Sequence, residues 1–266
     1  DHTLLLTISF LSRKTIEHDQ LSLQLQNFFF SNFENDYIIM RDYILGTCLT
    51  FNTIPRIADT CLYSLSVLFR RYPRFLKPNV LSNILKNIGD NINTQDHVIF
   101  TRIVYFIGTI SSRKVWPYLL EETQKDFLDE FDHFVLLFNI AKNRPDSIDQ
   151  NIYPIAYSMM SNVLYAALSR DACNNNIFKL IQSELDLLRQ LADYIGDHII
   201  LTKICQIFIL FNTFFRYPKK NPFLYMDIIT PVLEVYSKLL CPNSPIFEDA
   251  LLAVGILTSS LNVEDK

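Results

Sequence analysis

The chain has 266 residues, 49% of them apolar, with 24 Lys and Arg against 28 Asp and Glu and a net charge of −4. That length can bury a large core and lies near the size at which one domain gives way to several or to a stack. The acidic balance excludes a general electrostatic grip on nucleic acid as the main function, and five glycines are too few for the turns of an all-β sandwich.

The opening TLLLTISFL, 3–11, has an apolar centre but neither a basic segment before it nor a small-residue cleavage site after it, so it reads as helix. Runs with helical apolar spacing follow near 14–30, 35–51 and 56–72, with Phe28, Phe29 and Phe30 as core. At 68–78 stands LFRRYPRFLKP. Arg70 and Arg71 suit the negative end of a helix dipole, Pro73 lacks the donor that a continuing helix needs, and Pro78 suits the first turn of the next helix. Arg70, Arg71, Arg74 and Lys77 also form a basic cluster that an acidic peptide or a phosphate could use.

Helical runs continue near 78–89 and 95–112, and RKVWPYLL at 113–120 repeats the break with Trp116 and Pro117. The run 123–142 begins inside the acidic stretch EETQKDFLDEFDHF. On a helix, Glu122, Asp126, Asp129 and Glu130 gather on one side while Phe127, Leu128, Phe131 and Phe134 form the packing side. That face reads either as a pad for a basic partner or as an ordinary solvated surface.

After a run near 147–169, the stretch 176–194 carries an apolar stripe of Ile177, Leu180, Ile181, Leu185, Leu188 and Leu191, with Lys179, Glu184, Asp186, Arg189 and Asp193 largely on other faces. The segment 198–215 approaches the length of a membrane span, but Lys203, Gln206 and Asn212 interrupt it, which predicts burial between helices and no membrane insertion. The break returns at 214–224 as FFRYPKKNPFL, and runs near 221–240 and 245–262 close the chain.

Pro73 and Pro117 are 44 residues apart, and Pro117 and Pro218 are 101 apart. One and two steps of about 40 to 50 residues match two-helix repeats. Glycines 46, 108 and 255 sit inside apolar helical runs, where close approach of a neighbouring helix would offset their cost. The expected fold is therefore all-α, a right-handed solenoid of antiparallel helix pairs of HEAT or armadillo type. Residues 1–266 form a single array, and the apolar ends lead us to expect further repeats in a longer parent.

The cysteines, Cys48, Cys61, Cys173, Cys205 and Cys241, are scattered without a CxxC pair and read as buried thiols in a reducing compartment. No two histidines stand at i, i+4; His133, near Asp129 and Asp132, reads as a surface or capping residue. No phosphate loop or nucleophile elbow is written locally, so no catalytic group, cofactor or metal is expected.

The segment NSPIFEDALLAVGILTSSL, 243–261, with its acidic pair and its glycine followed by an apolar residue two places on, resembles a HEAT repeat of the importin-beta (karyopherin) family. The chain departs from that family in lacking a long acidic loop and in carrying 21 Phe and 13 Tyr. The resemblance implies a non-enzymatic scaffold, with transport cargo and the Ran GTPase as partners and residence in nucleus and cytoplasm. Read from the residues alone, a permanent structural subunit of a large assembly is the alternative, and a helical enzyme with a dispersed active site is a weaker one.

Overall fold

The computed structural model describes residues 62–63, 65–70, 73–91, 97–143, 152–170, 172, 175–194 and 198–216, with single residues and short stretches between 230 and 255. Every regular element among them is helical. They divide between two compact units, one holding the residues up to His133 with Ile152, the other holding 134–143 and the residues from Tyr153 onward.

In the first unit, a helical stretch reaching Arg70 buries Leu65, Leu68 and Phe69. Pro73–Phe75 then forms a 3-10 turn, and helix α1 (Pro78–Asn91) begins at the proline whose missing donor costs nothing there. Val80, Leu81, Ile84, Leu85 and Ile88 give α1 its buried stripe. Helix α2 (His97–Ile110) buries Phe100, Ile103, Val104, Phe106 and Ile107, with Phe106 edge-on to Phe69 at 6.4 Å.

The Trp-Pro break likewise makes a 3-10 turn, Trp116–Tyr118, and the two 3-10 turns pack against each other. Trp116 is 2% exposed, so it anchors the bend from within, its ring 5.5 Å from Phe127. The expected run 123–142 is broken into helices α3 (Glu121–Asp129) and α4 (Phe131–Asn143), because Glu130 leaves helical geometry at φ −91°, ψ 12°. Helix α3 packs on α1, and its two buried polar residues account for the seating. The Thr123 hydroxyl donates to the Leu76 carbonyl at 2.9 Å, and the Gln124 amide donates to the Trp116 carbonyl at 2.7 Å.

In the second unit, helices α5 (Ile152–Ser169), α6 (Asn175–Leu191) and α7 (His198–Arg216) follow α4. Helix α7 is buried along Ile204, Ile207, Phe208, Phe211, Phe214 and Phe215, as its interrupted run predicts, and packs on α6. Among the described residues no helix is long and apolar enough to cross a membrane. Aromatic pairs carry much of this core: Phe178 meets Phe214 at 6.0 Å and Phe208 meets Tyr236 at 4.7 Å. A buried hydroxyl pair joins α5 to α7, with Ser161 Oγ 2.6 Å from Thr213 Oγ1. Thr213 donates to the Ile209 carbonyl, so Ser161 supplies the proton between the two hydroxyls.

Two expectations are corrected here. Glu184 is placed by the sequence reading on a face away from the apolar stripe of α6, yet it is fully buried within it, four residues from Leu180 and from Leu188. Gly255 is exposed, and a Cβ added there would meet nothing within 4 Å, so no neighbouring helix explains that glycine. Gly46, Tyr217, Pro218 and Pro222 lie outside the described residues.

Candidate functional site

Among the residues singled out from the sequence, Glu122 and Asp129 are exposed on α3, and Asp126 is half-buried beside them. Glu121 and Glu122 occupy the first helical turn, where the free N–H groups and the helix dipole favour carboxylates. Glu130 follows the end of α3, half-buried, and is engaged by the exposed imidazole of His133. The acidic face is thus formed by Glu122, Asp126 and Asp129, while Glu130 is diverted into a local pair. Arg70, Arg74 and Lys77 are each exposed, and Arg71 lies outside the described residues. Among the described residues no three His, Cys, Asp or Glu side chains are grouped to hold a metal ion, and Cys205 is a half-buried cysteine in no disulfide.

The densest polar arrangement lies in the second unit, on residues that the sequence reading did not nominate. Glu184 Oε1 accepts from Lys142 Nζ of α4 at 2.6 Å, and Oε2 accepts from the Tyr157 hydroxyl of α5 at 2.5 Å. Tyr157 in turn accepts from Tyr153 at 3.1 Å, one helical turn earlier. The pair is well buried: Glu184 is 0% exposed and Lys142 is 13% exposed. Three helices are therefore joined through one carboxylate, and charge-assisted bonds of this kind are the strong ones.

Aromatic faces complete the setting. The Lys142 ammonium lies 5.4 Å from the Phe138 ring, Phe138 stands edge-on to Tyr157 at 4.9 Å, and Lys203 Nζ of α7 lies 5.6 Å from the Tyr153 ring. Burial pushes the Tyr153 hydroxyl up to about 12, with the nearby Glu184 charge adding to the effect. Burial first, then the same carboxylate, raises Tyr157 further still. Both tyrosines stay protonated donors at neutral pH.

Lys142 and Tyr153 of this network line an open groove of about 750 Å³ whose walls come from α4, α5, α6 and α7. Lysines 142, 179 and 203 enter it from three different helices. Its lining carboxylate, Asp186, accepts from Arg189 at 3.2 Å and from Gln182 at 3.3 Å. Amide side chains, among them Asn139 and Asn143 one turn apart on α4, line much of the remainder. Chemically this is a place that gathers charged and hydrogen-bonding groups, of which Lys142 and Tyr153 are held in position by the buried network. Glu184 has both oxygens occupied and no exposed surface, so it orients Lys142 and does not itself meet a ligand.

One signal for Glu184 was present in the sequence: the residue falls at helical spacing on the apolar stripe, where an unpaired carboxylate would be prohibitive and a partner is demanded. Compared with known proteins, the chain matches no protein-family model. No curated protein matches it either.

Proposed function

We propose that this chain is a non-enzymatic helical scaffold that binds protein partners. The observation that carries the reading is the groove of the second unit, whose polar lining comes from four helices and whose Lys142 and Tyr153 are held by the buried Glu184–Tyr157 network. Binding surfaces gain affinity when the groups they present are already ordered. The acidic face of Glu122, Asp126 and Asp129 supplies a second surface, of opposite sign, in the first unit.

In this proposal the helices stack as a right-handed solenoid of antiparallel pairs. The repeated 3-10 turns at Pro73 and Pro117, one repeat length apart and in contact, support that arrangement. The test of function is affinity purification of the tagged chain from its native cells at physiological salt. Stoichiometric protein partners are expected; recovery of the chain alone at every salt concentration and from either tagged terminus would overturn the reading. The finer assignment to a karyopherin-like transport receptor rests on the likeness at 243–261, and release of a partner by GTP-loaded Ran is its test. A permanent assembly subunit would be indifferent to Ran.

A further inference from the structure

We infer that the groove of the second unit takes an acidic peptide segment, with a carboxylate side chain received by Lys203 and Lys179 and the peptide main chain lying against Tyr153. The inference rests on the scaffold reading above and names the class of partner that this groove would accept.

Charge gives the sign of the ligand. Glu184 neutralises Lys142 from behind, and Arg189 attends Asp186, which leaves Lys179 and Lys203 as the cationic excess of the lining. Neither forms an ion pair with another described residue, and the contact recorded for Lys203 is with the face of Tyr153, an interaction that leaves its N–H donors available to an anion. Lys203 is half-buried and Lys179 is exposed, so the shielding that strengthens such a contact applies to Lys203 first.

Proton direction adds a second requirement on the ligand. The single Tyr157 proton goes to Glu184, so Tyr157 can only accept from Tyr153, and the Tyr153 proton is committed to it. The oxygen of Tyr153, a residue of the groove lining, is therefore left as an acceptor. An acceptor beside a lysine suits a ligand that carries an N–H donor next to a negative group, as each aspartate or glutamate of a peptide does; phosphate at neutral pH also carries an O–H donor, so competition by phosphate is the measurement that separates the two. The amides of Asn139 and Asn143 both donate and accept, which matches an extended main chain. Because Glu184 holds Tyr157, and Tyr157 holds Tyr153, the Tyr153 oxygen is positioned before a ligand arrives.

The experiment is fluorescence anisotropy with a labelled peptide of alternating Glu and Ser, its Gln counterpart, and inorganic phosphate as competitor, on the whole chain. The Glu peptide should bind saturably and lose affinity with salt, while the Gln peptide should not bind. Lys179→Gln with Lys203→Gln should weaken binding by roughly tenfold to a hundredfold, as loss of charge-assisted bonds does. Lys179→Arg with Lys203→Arg should retain most of it, and circular dichroism should show all variants equally folded. Tyr153→Phe, which removes the acceptor, should weaken the peptide, and an unchanged affinity would overturn the role given to Tyr153. Equal binding of the Gln peptide, indifference to both lysine substitutions, or displacement by phosphate at concentrations comparable to the peptide would overturn the assignment. Co-purified partners that bind the Lys179→Gln, Lys203→Gln chain as tightly as the original would overturn this inference while leaving the scaffold reading standing.

Discussion

Replacing Glu184 by alanine removes the one carboxylate that serves both Lys142 and Tyr157. It orphans a fully buried tyrosine hydroxyl and leaves an ammonium that is 13% exposed without its counter-charge. Breaking a buried pair from one side costs about 3 to 5 kcal/mol, and Lys142 can turn toward the groove, so the low end of about 3 kcal/mol is expected. Glu184→Gln keeps an acceptor for Tyr157 but not the charge and should cost about 1.5 to 3 kcal/mol. Urea unfolding followed by circular dichroism at neutral pH measures both, and the alanine variant should also melt roughly 6 to 12 °C lower. Lys142→Met combined with Glu184→Leu should recover part of the loss, since it removes the uncompensated charge while the Tyr157 hydroxyl stays without its acceptor. A loss below about 1 kcal/mol for Glu184→Ala, or a double variant no better than the single, would refute the reasoning that this network holds α4, α5 and α6 together.

Thr213→Val should cost about 1 to 3 kcal/mol by stranding the buried Ser161 hydroxyl, and adding Ser161→Ala should return most of it; equal losses in single and double variants would contradict this. Because Tyr153 is raised from 10.0 to about 12, the folded state holds its proton more tightly than the unfolded chain does, so stability is complete below pH 10 and falls between about pH 10 and 12. Urea midpoints across that range, compared with Tyr153→Phe, should show a shallower alkaline decline in the variant. Gly255→Ala should stabilise by about 0.5 to 1 kcal/mol, because a Cβ there meets nothing, whereas a close helix contact would make the same change destabilising. Reversing Glu122, Asp126 and Asp129 to lysine should cost about 1 kcal/mol of stability, chiefly from Glu122 in the first turn of α3, yet slow association with a basic partner at low salt; unchanged association would return α3 to an ordinary solvated face.

Among the described residues, the sequence by itself determined the helices and several of their boundaries. Apolar spacing is a local property, so the stripe of α1, the burial of α7 and the helix start at Pro78 were all readable from neighbours within a turn or two. The tandem breaks at Pro73 and Pro117 were readable for the same reason, since proline acts on its own residue and the one before it. The division of 123–142 at Glu130 was not, because the apolar pattern runs through it and Gln124 fixes α3 on carbonyls of the preceding turn. Nor was the role of Glu184. Its position on the stripe says that a partner must exist, but the partners stand 42 residues before it on α4 and 27 before it on α5. Only tertiary packing brings an ammonium and a phenol to the same carboxylate, because a buried charge is compensated by whatever reaches it through space and not by what lies beside it in the chain.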